Sequence, residues 1–357
     1  MKKMKLFTAV ALVLTLSIGG LTACSNNTKS TDTAGETTTP APTAAEQTES
    51  TGEAVTNDAA SNDTGAEDLI HVRFSAFNGI TSAGFRFGVE KGIFKDNGVD
   101  IELVEVEDKI AALASGATDI ADLNTSQAIV AAHSGAEFKM VSSMFRTKGA
   151  FHLIADPSIE SIADLKGKKI GIAVQGSGLE ITVLEILEQN GISRDDVTLI
   201  ANGAYQQAYA SLVSKQVDAT IIHEPFVTIG EKEGTAKLLA LGWDYLPNFH
   251  TGVIVASDKL IAENPEAVRR TLKGYFESFQ YAKEHRDEFI KWATNYLNLD
   301  EDVVTQAFDR EEVIWENNPV IDVDSIKETQ EVQKKWGFQD EIYEVSDYID
   351  LSFIPED

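Results

Sequence analysis

Hydrophobic positions change their rhythm along this chain in a repeating order. Residues 70–77 (Ile-His-Val-Arg-Phe-Ser-Ala-Phe) alternate apolar with polar or small side chains and stop at Asn78-Gly79, the pattern of a strand running into a loop. A helical stretch follows over 83–95, ended by Asn97-Gly98. Next come a strand over 99–106, a short helix over 110–114 closed by Gly116, and a strand over 119–123. The order β-α-β-α-β returns after Lys168: strand 169–174, the glycine loop Gly176-Ser177-Gly178, helix 179–189, a stop at Asn190-Gly191, strand 197–200, helix 205–214 and strand 218–222. Two landmarks align the copies. Asn97-Gly98-Val99 stands 93 residues before Asn190-Gly191-Ile192, and Leu113-Ala114-Ser115 with Asp119 stands 99 before Leu212-Val213-Ser214 with Asp218. Alternation of this kind predicts an α/β protein with two mostly parallel sheets covered on both faces. Ligands of such sheets sit beyond the carboxyl ends of the strands.

The last third changes character. Asn264-Pro265-Glu266 reads as an N-cap followed by proline at the first helical position. Helical spacing continues over 267–285, 286–297, 302–315 and 325–336, with Phe276, Phe279, Trp292 and Phe308 at core positions.

The first residues bear on compartment. Lys2, Lys3 and Lys5 precede an apolar run over 6–18 and a small-residue stretch ending at Cys24, which together predict a signal peptide. As a helix the run would span roughly 20 Å, short of the ~30 Å of a hydrocarbon core. Leu21-Thr22-Ala23-Cys24 resembles the lipobox of bacterial lipoproteins, which implies removal of 1–23 and a lipid on Cys24, hence an extracytoplasmic, membrane-anchored chain. Residues 24–67 are rich in Ser, Thr, Ala, Asn, Pro and acids, with too little apolar surface to offset ordering entropy, and read as a tether. Cys24 is the sole cysteine, so no internal disulfide, zinc–thiolate site or thiol nucleophile is expected.

From Asp68 onward 26 basic residues face 49 acidic ones, a net charge of −23. Such a surface argues against nucleic acid and anionic lipid as partners. It leaves the field inside a cleft open.

The loops after the predicted strands hold the candidate ligand groups: Asn78 and Thr81, with Phe85 in the next helix; Asn124, Thr125 and Ser126; Gln175, Ser177 and Gly178; Tyr205; and Glu224 with Phe226. Gly176-Ser177-Gly178 opens a helix, where unpaired N–H groups and the positive helix end suit a carboxylate or sulfonate. Ser177 serves equally well as a plain N-cap. Glu224 at a strand end suits an amino or amidine-like group, with Phe226 to stack on a flat ligand, and simple exposure is the alternative. Arg86, Arg146 and Lys148 could counter an anion, with solvation the favoured reading. Gly-x-Gly-x-x-Gly, Gly-x-x-x-x-Gly-Lys, His-Glu-x-x-His and Gly-x-Ser-x-Gly are all missing, and the six histidines lack metal-ligand spacing. No metal, cofactor, catalytic residue or enzymatic activity is therefore expected.

Several segments together resemble the nitrate/sulfonate/taurine family of ABC-transporter solute-binding proteins, whose relatives include carriers of thiamine pyrimidine precursors. They are Gly88-Val89-Glu90-Lys91-Gly92-Ile93-Phe94, Ser115-Gly116-Ala117-Thr118-Asp119-Ile120-Ala121, Ile162-Ala163-Asp164-Leu165-Lys166-Gly167-Lys168-Lys169-Ile170-Gly171, Val217-Asp218-Ala219 with Glu224-Pro225-Phe226, and Asn264-Pro265-Glu266. The resemblance covers about 70–291. It implies a periplasmic-binding-protein type II fold: two lobes joined by two hinge strands, with lobe one at 68–155 and 251–357, lobe two at 156–250, and a helical C-terminal extension of lobe one. It further implies a monomer that captures a small molecule between the lobes and presents it to an ABC permease. A sulfonate or nitrate would draw on Thr81, Ser177 and backbone donors; an aminopyrimidine would draw on Glu224, Tyr205, Phe226 and Phe85. Enzymes of related fold include a self-sacrificing pyrimidine synthase, whose cysteine cluster this chain lacks, and cytosolic lyases, which fit poorly with an export signal. An exported enzyme or a receptor using the same lobes without a transporter is the alternative of another class.

Overall fold

The computed structural model describes residues 69–203 and 205–355, so the signal sequence, the tether and Cys24 lie outside the described residues. Ten strands follow in chain order: β1 (Ile70–Ser75), β2 (Val99–Leu103), β3 (Ile120–Asn124), β4 (Phe138–Ser143), β5 (His152–Ala155), β6 (Lys169–Gly171), β7 (Thr198–Ile200), β8 (Ala219–Ile222), β9 (Lys237–Leu241) and β10 (Gly252–Ser257). They form two five-stranded sheets, ordered β2-β1-β3-β10-β4 and β7-β6-β8-β5-β9. The two orders are one topology used twice.

The repeat extends to single hydrogen bonds. Asp119 accepts the Arg73 N–H at 2.9 Å, and Asp218, 99 residues on, accepts the Lys169 N–H at 2.8 Å. The Asn97 amide donates to the Ile93 carbonyl at 2.9 Å, and Asn190, 93 residues on, donates to Ile186 at 2.7 Å. Gly98 and Gly191 follow these asparagines at φ 75° and 72°, a region glycine enters without a Cβ penalty.

Four strands of each sheet point the same way, while β10 and β5 run antiparallel to both neighbours. The expectation of mostly parallel sheets therefore holds for half of the pairings. Each exception arrives from the other lobe: Gly252 at the start of β10 faces Asn124 at the end of β3, and His152 at the start of β5 faces Ile222 at the end of β8. A strand that enters its sheet from the cleft side must run against its neighbours. The predicted helix over 83–95 is two helices, Ala83–Lys91 and Ile93–Asp96, because Gly92 turns left-handed at φ 81° between them.

The helical third consists of Pro265–Glu284, Arg286–Leu297, Glu301–Glu311 and Val323–Lys335. Pro265–Glu284 lies close against Ala83–Lys91, where a Cβ on Gly88 would collide with Ser278. Phe74, Phe85, Phe94 and Tyr275 fill that seam, with ring centroids 4.5–5.7 Å apart for Phe85 and its three neighbours.

The chain crosses between the sheets twice, over 144–151 and 242–251. Both the N–H and the hydroxyl of Thr251 donate to the Thr147 carbonyl at 2.8 Å, tying one crossing to the other. Side chains of the helical third also reach the second lobe on two flanks. Arg310 pairs with Glu224, and with Glu231 at 2.6 Å; Lys335 reaches Glu185 at 2.7 Å, and the Trp336 indole donates to the same carboxylate at 2.8 Å.

Candidate functional site

A cavity of about 450 Å³ opens at the carboxyl ends of the strands, between the two sheets. That volume suits one small organic molecule. The first lobe contributes Phe77, Thr81, Asn124, Ser126 and Gln127; the crossings contribute Met144, Arg146, Phe151, Phe249 and His250; the second lobe contributes 174–179, Tyr205 and His223. Among the described residues no aspartate or glutamate lines it, in a chain that carries 57.

The helix Gly178–Gln189 points its N-terminus into this space. Ser177 caps it by accepting from the Glu180 N–H at 3.3 Å, and the Glu180 carboxylate accepts from the Gly176 N–H at 2.7 Å. Between them, the N–H groups of Gly178 and Leu179 have no acceptor among the described residues. Those are the first-turn donors that a helix leaves for an anion. Gly178 is closely walled, since a Cβ would stand 3.3 Å from the Phe249 ring and 3.4 Å from the Phe151 ring.

Arg146 brings the one cationic side chain to the cavity lining among the described residues, with its charge shared with Glu311. It is 6% exposed, pairs with Glu311 and donates to the Thr81 hydroxyl at 3.1 Å. Burial pushes the Glu311 carboxyl up against the pull of Arg146. Two histidines at the cleft are neutral. Burial lowers His250 to about 4, and its ring is held by the Thr125 hydroxyl at 2.8 Å and the Ser143 hydroxyl at 3.0 Å. Burial, with Arg146 nearby, lowers His223 to about 4, and the Ala150 carbonyl fixes its Nδ1 at 3.0 Å. Among the described residues no group of three His, Cys, Asp or Glu side chains could hold a metal ion.

Of the residues expected from sequence, Thr81, Asn124, Ser126, Gln175, Ser177, Gly178 and Tyr205 meet in the cavity. Five do not line it. Asn78 is taken up by Arg86 at 2.9 Å and Glu105 at 3.2 Å. Phe85 is buried in the aromatic seam of the first lobe. Thr125 is fully buried and holds His250. Phe226 turns away to pack on Tyr209, 5.7 Å between centroids. Glu224 is 0% exposed, bonded to Arg310 and, at 3.0 Å, to the Thr228 hydroxyl; burial pushes its carboxyl up. Arg146, read as solvated, is the reverse correction. The contributions of Phe151, Phe249 and His250 escaped sequence reasoning because the crossings carry no periodicity. The signal available was position alone, next to a strand end.

Two sheets of one topology, joined by two crossings around a ligand-sized cavity, define the periplasmic-binding-protein fold. Residues 80–289 match the model of the family described as NMT1/THI5 like, and the chain belongs to that family. A Bacillus subtilis protein named as a candidate aliphatic sulfonates-binding protein is 29% identical over 74% of this chain and 82% of its own length. The periplasmic aliphatic sulphonate binding protein SsuA of Escherichia coli shares the fold at a TM-score of 0.64 and 18% identity, over 78% of this chain and 97% of that one. A 4-amino-5-hydroxymethyl-2-methylpyrimidine phosphate synthase of Candida albicans is 26% identical over 62% of this chain and 69% of its own length. That relative corrects the expectation of a chain without enzymatic activity: enzymes stand beside carriers among its relatives.

Proposed function

We propose that this chain captures an organic sulfonate between its lobes and delivers it to an ABC permease, as a monomer held to the membrane by a lipid on Cys24. The observation that carries the reading is the cavity's charge inventory. Arg146 and the free N–H groups of Gly178 and Leu179 face it, and no carboxylate does among the described residues. A group that stays ionised at neutral pH gains from preorganised donors in a site shielded from water. The aminopyrimidine alternative relied on Glu224, which is fully buried and outside the cavity lining. The relative named for aliphatic sulfonates supports the same choice.

Thermal unfolding of the full-length chain with hexanesulfonate, nitrate and an aminopyrimidine tests this, because a ligand that binds the native state raises the melting temperature. Hexanesulfonate should raise it and the aminopyrimidine should not. The opposite ranking would sink the sulfonate reading.

A further inference from the structure

The cavity has an anion end and, beside it, an aromatic end. Tyr205 sits at φ 53° and ψ −122°, a conformation costly for a bulky side chain and maintained only where its surroundings enforce it. Its ring stacks on His223, 5.1 Å between centroids with planes 22° apart. His223 is itself fixed by the Ala150 carbonyl and by the edge of Phe151, 5.3 Å away at 70°. One face of Tyr205 is thereby covered, yet the residue remains 42% exposed and lines the cavity. Phe151 and Phe249 stand beside Gly178, so phenyl walls adjoin the free N–H groups. An ammonium group entering this space would lose water without meeting a carboxylate among the described residues, which disfavours zwitterions.

Resting on the sulfonate reading above, we propose that the cargo is an arylsulfonate without a cationic group, its ring packed on Tyr205 and its sulfonate held by the Gly178 helix end and Arg146. Tyr205 then decides between aromatic and aliphatic tails, because a flat ring gains stacking on an aromatic face that a flexible chain does not.

Calorimetric titration of the full-length chain with benzenesulfonate, hexanesulfonate and taurine tests it. Benzenesulfonate and hexanesulfonate carry equal carbon counts, so their ratio compares a flat ring with a flexible chain at one carbon number. Benzenesulfonate should bind about tenfold more tightly than hexanesulfonate, and about a hundredfold more tightly than taurine. Tyr205→Leu, which keeps apolar bulk, should bring the benzenesulfonate-to-hexanesulfonate ratio to about one, while Tyr205→Phe retains it. Hexanesulfonate or taurine binding as tightly as benzenesulfonate in the unaltered chain would overturn the arylsulfonate proposal and leave the sulfonate reading standing. A ratio unchanged by Tyr205→Leu would overturn the role of Tyr205. Binding of none of the three would remove both readings. The ratio in the unaltered chain is decisive even if the leucine variant does not fold.

Discussion

The loops after β3 and β8 occupy the same place in the two copies of the fold, and they do different work. Thr125 and Glu224 lie 99 residues apart and both are fully buried. In the first lobe the Thr125 hydroxyl holds His250 of the second crossing, and its neighbours Asn124, Ser126 and Gln127 face the cavity. In the second lobe Glu224 holds Arg310 of the helical third, and His223 faces the cavity in its stead. A repeated topology thus fixes where a side chain stands. Whether it meets a ligand or a neighbouring helix depends on what packs above it.

The comparison breaks most readily on the charge. Arg310→Ala would leave Glu224 buried without its cation and should cost about 3–5 kcal/mol in denaturant unfolding. Thr125→Val, at the matching position, should cost about 1–2 kcal/mol. Equal losses would mean that Glu224 is no more than another buried hydrogen-bonding group.

The His250 that Thr125 holds gives a pH test. Its folded pKa of about 4 lies below the unfolded value near 6.5, so the unfolded chain binds the extra proton between those values. Stability should fall as pH drops through that window, by about 1.4 kcal/mol per unit for this one group. Asp122, Glu224 and Glu311, pushed up by burial, titrate with the opposite sign. The slope is therefore read as the difference between the unaltered chain and His250→Gln, and no difference would contradict a neutral buried imidazole.

The smallest effect sharpens the contrast between the two walls of the cleft. Gly178→Ala pushes a Cβ against Phe249 beside the free N–H groups and should weaken hexanesulfonate about tenfold, or roughly 1.4 kcal/mol. Ser126→Ala on the opposite wall should weaken it about threefold or less. A reversed order would place the anion on the first lobe.

Most of the fold was legible because period and punctuation agree. Asn97-Gly98 and Asn190-Gly191 end helices by the same amide bond, and Asp119 and Asp218 cap the same strand position, so offsets in sequence became equivalences in space. β4, β5, β9 and β10 were not foreseen: they flank the crossings and pair with strands far away in sequence. The site was legible where a loop feeds straight from a strand end into the cavity, as at Gln175 and Asn124. It was misread where a third element intervened, as Arg310 does above Glu224. Arg146 was undervalued because charge alone does not reveal that Glu311, 165 residues later, folds back to bury it.

The contrast between an acidic sequence and a cavity that no carboxylate lines among the described residues also has a kinetic side. With −23 from Asp68 onward, the sulfonate proposed above would approach against a repulsive field that salt screens over about 8 Å at physiological ionic strength. Inside, Arg146 and the helix N–H groups act at contact distance, well within one screening length. Added salt should therefore quicken capture, the reverse of ordinary electrostatic steering, and leave residence time nearly unchanged. Ionic strength governs how fast the cleft fills far more than how long it stays filled.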